Sequence, residues 1–222
     1  MRAPLLIAVC LCMSLFSVAK TGIFQPALVA PGAQTMTASP GEPRLPVIPG
    51  TVQYKLIPDS SLVVWYCQEN NQVHSGGFMF SSGSFTLVNG SLNAGNFELD
   101  MKSLVDNDLR NPDQNTALVS RLKSADLFNT SDYPRATFVI TKVVVLKGQQ
   151  YELEANMTII GHTRQVRMQV AIAVKGSMLE IVSTDMLIEG VQFGLKTGVH
   201  GGATGSELRD FKVKISQLYA KH

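Results

Sequence analysis

The sequence is short of charge and of cysteine. Only 16% of its 222 residues are Asp, Glu, Lys or Arg, and the formal net charge is +2. Soluble chains usually carry about 25% charged residues. An excess of two positive charges cannot supply the basic face that binding to a phosphate backbone demands, so nucleic acid is excluded as a partner. Of the three cysteines, Cys10 and Cys12 lie in an apolar N-terminal stretch. If that stretch is removed on export, Cys67 is left alone and no internal disulfide can form, so packing must stabilise the fold. Past the N-terminus no apolar run approaches the roughly 20 residues that a membrane-spanning helix needs. Whole-chain disorder is excluded as well, because a hydrophobic content of 45% is ordinary for a globular protein.

The N-terminus reads as a secretory signal over residues 1–19. Arg2 opens it, an apolar stretch runs from Leu5 to Val18, and Ser17-Val18-Ala19 places small residues where a signal peptidase reads. The stretch is short for an uncleaved anchor, and Val9 and Leu11 stand before the cysteines where a lipoprotein signal wants a small residue. Residues 20–50 hold Pro26, Pro31, Pro40, Pro43, Pro46 and Pro49 with no apolar period, the composition of an extended tether. The expected organisation is therefore signal, Pro-rich tether and a single domain over 51–222, exported to the periplasm or secreted and soluble once the signal is removed.

In that domain the apolar period is two. Tyr151, Leu153, Ala155, Met157 and Ile159 alternate with polar residues, as do Val166, Met168, Val170, Ile172 and Val174, and again Phe211, Val213 and Ile215. Each run is a half-buried antiparallel strand with one wet face. Asn89-Gly90, Lys147-Gly148, Gly161-His162 and Lys175-Gly176 supply the turns. The pattern predicts strands over 51–57, 61–68, 73–80, 84–89, 91–101, 135–146, 149–160, 164–175, 177–189 and 208–219. A short helix is expected within Asn115 to Asn129, where Leu118, Leu122 and Ala125 fall at helical spacing. Long strands joined by tight turns define an all-β closed barrel or sandwich, and their length favours an antiparallel barrel of about eight strands.

Catalytic signatures are thin. His74, His162, His200 and His222 are scattered, with no second ligand at metal spacing on the same strand, so no metal site is expected. Gly198 to Gly205 is glycine-rich but no helix pattern follows, which makes it a loop rather than a phosphate cradle. Cys67 has no partner in a CxxC pair and reads as a buried inert thiol. Asp106 and Asp108 form the most polar cluster and are expected to solvate a loop. As a rival reading, they converge with His74 in an enzyme acting on a lipid head group. The aromatic and methionine residues come from almost every strand, and methionine adapts to irregular apolar shapes.

Ordered along the chain stand Trp65, His74-Ser75-Gly76, Ser82-Gly83, Gly95 with Phe97, Asp100-Met101, Asp108-Leu109, the run LKSADLFNTSDYPRATF from Leu122 to Phe138, and Thr158-Ile159 with Gly161 and Thr163. This set resembles the YceI family over roughly Tyr54 to Leu218. The resemblance implies an exported, non-catalytic, lipocalin-like antiparallel barrel around a long apolar ligand such as a polyisoprenoid, a quinone or a fatty amide. No cofactor is implied apart from such a lipid, and a homodimer is compatible with it. The residues expected to line the lumen are Trp65, Phe78, Phe80, Phe97, Phe138, Met157, Met168 and Phe193, with His74 near the ligand's head group. The chain departs from the family pattern at Cys67, at Ala155 and Met157, and at Glu189-Gly190-Val191-Gln192 before Phe193-Gly194, where members often carry Asp-Arg-Thr. A filled barrel acting as a structural module is the remaining alternative.

Overall fold

The period-two pattern becomes ten strands in the computed structural model, which describes residues 50–69, 72–196 and 210–222. The expected signal, nearly all of the tether and the Gly198–Gly205 loop lie outside these residues. The strands are β1 (Thr51–Leu56), β2 (Leu62–Glu69), β3 (Gln72–Val88), β4 (Ser91–Asp106), β5 (Arg135–Val145), β6 (Gln150–Ile159), β7 (His162–Lys175), β8 (Met178–Ser183), β9 (Met186–Glu189) and β10 (Asp210–Lys221). One helix, α1 (Pro112–Lys123), follows β4.

All pairings are antiparallel, and consecutive strands from β2 to β8 pair in order. Closure comes from β10, which pairs with β2 on one edge and with β8 and β9 on the other. The result is a ring of eight strands with the lipocalin-like all-β character expected from the sequence. Two ring positions hold interrupted strands. A 3₁₀ turn at Pro58–Ser60 separates β1 from β2, yet both run along β3, from Thr51 opposite Val88 to Glu69 opposite Gln72. Likewise β8 and β9 follow one another along β10, from Met178 opposite Lys221 to Glu189 opposite Asp210.

The structure corrects several sequence-based boundaries. The strands expected over 73–80 and 84–89 are one strand, β3, because Ser81-Ser82-Gly83 is not a turn. The register against β4 shifts there, between Phe80 and Ser82, so a bulge bends the strand without ending its pairing. The strand expected over 91–101 continues to Asp106, and the one over 177–189 breaks at Thr184-Asp185. The helix begins earlier, at Pro112, and ends at Lys123. Asn111 caps it by accepting from the N–H groups of Asp113 and Gln114, while Pro112 occupies the first turn, where its missing N–H costs nothing. Asn89 (φ 50°) and Gly90 (φ 80°) make the expected two-residue hairpin between β3 and β4.

Aromatic rings fill the inside of the ring. Phe97 and Phe138, directly opposite on β4 and β5, stack at 4.7 Å with 8° between their planes, and Phe80 meets Phe97 edge-on at 5.3 Å. On another side Phe128 packs against Phe78 and Phe211, and Phe211 against Trp65. Each such ring pair contributes about 0.5–1.5 kcal/mol beyond the burial of its area. Trp65 needs a particular neighbour. A Cβ on Gly76, its cross-strand partner, would lie 2.5 Å from the indole and 1.9 Å from the Val105 carbonyl, so only glycine lets the ring lie flat there.

Candidate functional site: an apolar lumen and a polar cleft

Two sites emerge. The first is a cavity inside the ring with about 40 Å³ of free space, lined by residues from β2 to β7 and from β9 and β10. Of its 17 lining residues among those described only Lys214 is charged; the rest are apolar. Four are methionines, Met101, Met157, Met168 and Met186, whose unbranched side chains change shape at little cost. For scale, a dry apolar cavity of about 150 Å³ binds benzene, whereas one water needs about 10–15 Å³. In this conformation the lumen is nearly filled.

Phe78, Phe97, Phe138, Met157 and Met168, all expected at the lumen, line this cavity. The other four lie elsewhere. Trp65 is buried over Gly76, and Phe80 is buried behind Phe97. Phe193 is buried in a 3₁₀ turn, Gly190–Phe193, that follows β9. His74 belongs to a separate cleft. Sequence reasoning passed over Met101, Phe128 and Ile188 as lining residues. Met101 and Ile188 sit at inward parity on their strands. Phe128 carries no periodic signal, because it enters from the turn after α1 rather than from a strand.

The departure before Phe193-Gly194 has a structural form. Gln192 is exposed and donates to the Glu189 carboxylate, so the segment before Phe193-Gly194 turns a polar pair outward. The methionine at 157 faces the cavity, and Ala155 is fully buried on the same strand.

The second site lies where the β2–β3 hairpin meets α1. A cleft of about 430 Å³ is lined by Glu69, Gln72, His74 and Leu109 on one side and by Gln114, Ala117, Leu118 and Arg121 on the other. Arg121 pairs with Glu69 across it. Pairing of Gly76 with Asp106 sets the end of β4 beside the start of β3, and the Asn107 N–H donates to the Ser75 carbonyl at 2.8 Å. This brings together His74, Asp106 and Asp108. The His74 ring nitrogen Nδ1 lies 3.0 Å from Asp108 Oδ2, and Asp108 Oδ1 accepts from the Ser75 N–H at 2.7 Å. Asp106 is 7% exposed; its Oδ1 accepts from the Leu109 N–H and from Asn115 Nδ2, at 2.9 and 3.0 Å.

Electrostatics sets the two carboxyls apart. Burial raises the Asp106 pKa, the Asp108 carboxyl adds to the rise, and the Leu109 N–H opposes it. Burial is also the largest influence on Asp108 and pushes upward, but the Ser75 N–H, the Asp106 carboxyl and His74 outweigh it and the net shift is downward. Cys67, opposite His74 in the β2–β3 pairing, is buried, and its thiol is pushed up to about 12, first by burial and then by Glu69, Asp108 and Asp106. A nucleophilic cysteine needs the opposite surroundings, so the Cys–His neighbours do not make a catalytic pair.

A closed antiparallel ring of eight strands with an apolar interior is a lipocalin-like all-β architecture. Within that class the family is specific. A model of the YceI-like domain matches residues 54–217, so the chain belongs to the YceI-like family. Among solved structures, BcnA of Burkholderia cenocepacia shares 21% identity at a TM-score of 0.62, with 75% of this chain and 99% of that one covered. The YceI protein of Campylobacter jejuni shares 16% identity at a TM-score of 0.46, over 60% of this chain and 74% of that one. No curated protein sequence matches this chain. Among the described residues no helix is long and apolar enough to cross a membrane.

Proposed function

We propose that this protein binds a long apolar ligand, of the polyisoprenoid, quinone or fatty-amide class, in the lumen of its ring and carries or sequesters it without chemical change. The observation that carries this reading is the lining of the cavity: sixteen apolar residues, four of them methionines, drawn from strands all around the ring. Each CH₂ moved from water into such a lining gains about 0.8 kcal/mol, so an isoprenoid tail has a strong reason to enter. The free space of about 40 Å³ requires the methionines to swing aside as the tail goes in. That rearrangement and the ordering of the chain reduce the net affinity well below the sum over carbons. Residues 1–19 as an export signal and 20–50 as a tether complete the proposal, with the periplasm or the exterior as the compartment in which an insoluble tail needs cover.

Lipid extraction and mass spectrometry of the protein purified from its own host tests the reading, followed by titration of the stripped protein with an isoprenoid quinone and a fatty amide. One bound apolar molecule per chain is expected. A protein that comes out clean and takes up neither ligand ends the proposal. The small free volume of about 40 Å³ favours one other reading, a filled ring that serves as a structural or protein-interaction module.

A further inference from the structure

Each carboxylate beneath α1 has one oxygen clamped by N–H donors; of the second oxygens, Asp108 Oδ2 meets His74 Nδ1 at 3.0 Å and Asp106 Oδ2 is left over. Asp106 Oδ1 is held by the Leu109 N–H and the Asn115 side-chain amide, and Asp108 Oδ1 by the Ser75 N–H. Asp106 Oδ2 is fully buried, in a residue only 7% exposed, and has no hydrogen-bond partner. A buried carboxylate oxygen in that condition is costly unless something positive meets it. His74, itself 6% exposed, can offer one ring nitrogen, and Asp106 and Asp108 one oxygen each, within 4.8 Å of one another.

We propose that His74, Asp106 and Asp108 form a binding site for one divalent transition-metal cation at the foot of the cleft under α1. The donor set of one imidazole and two carboxylates suits zinc and its first-row neighbours. Two ligands about 2.0–2.1 Å from a zinc ion stand about 3.0–3.4 Å apart, and the 3.0 Å between His74 Nδ1 and Asp108 Oδ2 already falls in that range. The clamping donors are the outer contacts that hold ligating carboxylates in orientation at metal sites. His74 also lines the cleft of about 430 Å³, which gives the ion an access route and leaves room for water on its open positions. The ligands come from the start of β3 and from the end of β4 and beyond, 32 and 34 positions apart, so no local spacing announces them. The site is separate from the lumen, and neither reading depends on the other.

Zinc chloride titrated calorimetrically into the full chain, after chelator treatment and dialysis, tests the proposal, with cobalt(II) absorption reporting the coordination. One equivalent is expected, together with a cobalt spectrum of nitrogen and oxygen ligation. Asp108→Asn and His74→Gln should each weaken binding at least tenfold, and Asn115→Ala, which removes one of the two donors holding Asp106 Oδ1, by roughly 10–100-fold. Asp108 is exposed, so its variant keeps the test valid if His74→Gln loses the wild-type circular dichroism. No stoichiometric uptake by the wild type overturns the site and leaves a proton shared between the two carboxylates as the occupant. Uptake unchanged in Asp108→Asn also overturns it, by placing the ion on other histidines such as His162 or His222.

Discussion

Truncating Phe138 probes whether the lumen is a core or a container. Phe138 is 1% exposed and faces the cavity; it stacks on Phe97 at 4.7 Å and stands opposite Met157 on β6. Phe138→Ala removes the ring and its stack while the strands on either side remain hydrogen-bonded. Phe→Ala changes in cores cost about 3–5 kcal/mol, and the stacking places this one in the upper half of the range. With a urea slope of about 1–3 kcal/mol per molar, the unfolding midpoint should fall by at least about 1 M. The substitution also leaves a benzene-sized hole beside the existing 40 Å³, and dry apolar cavities of about 150 Å³ bind benzene. Benzene or indole at 100 times its dissociation constant should therefore return about 2.7 kcal/mol to the variant and almost nothing to the wild type. Urea unfolding with and without the aromatic measures both effects. A loss under about 1 kcal/mol, or equal rescue of wild type and variant, would refute the geometry of the lumen given above.

Two further outcomes follow from the same structure. Gly76→Ala forces a Cβ to within 1.9 Å of the Val105 carbonyl oxygen and 2.5 Å of the Trp65 ring, so it should destabilise by about 3 kcal/mol or more and redshift the single tryptophan's fluorescence. An unchanged emission spectrum and midpoint would show that Trp65 is not seated on Gly76. The Cys67 thiol, pushed up to about 12, has at pH 8 a thiolate fraction more than about a thousandfold below that of a free cysteine near 8.5, so alkylation of the native protein should track global unfolding. Because the folded-state pKa is raised, the stability Cys67 confers is complete below about pH 8.5 and is lost as pH climbs toward the folded value, at up to about 1.4 kcal/mol per pH unit. The difference in stability between wild type and Cys67→Ala, followed from pH 7 to 10, checks the sign. A flat difference would remove the burial argument.

The family's ordered motif acquires physical meaning residue by residue. Gly76 after His74-Ser75 is the seat of Trp65, and Gly95 leaves room for Phe85, whose ring would meet a Cβ there at 2.5 Å. Asp108-Leu109 pairs its aspartate with His74, while the Leu109 N–H holds Asp106. Leu122 is fully buried, and Phe128, six residues on, reaches the cavity from outside any strand.

Period-two alternation alone determined that the domain is built of antiparallel strands and which faces of β6 and β7 turn inward, because a half-buried antiparallel strand writes its burial into every second residue. That is why β6, with Tyr151, Leu153, Ala155, Met157 and Ile159 buried in alternation, was legible end to end. Met157 and Met168 were legible for the same reason, while Phe78, Phe97 and Phe138 stood out as aromatic side chains spread over the strands. Where a bulge continues a strand through Ser81-Ser82-Gly83, the sequence reads as a turn, since a bulge and a turn draw on the same small polar residues. Only the tertiary structure decided which buried rings face the cavity and which back them. Phe80 and Phe97 have the same chemistry, yet Phe97 lines the cavity while Phe80 meets that ring edge-on at 5.3 Å without entering the lining. The structure alone also brought His74 to Asp106 and Asp108, because contacts across 32 and 34 positions depend on register, and register is fixed by the whole sheet rather than by any local run.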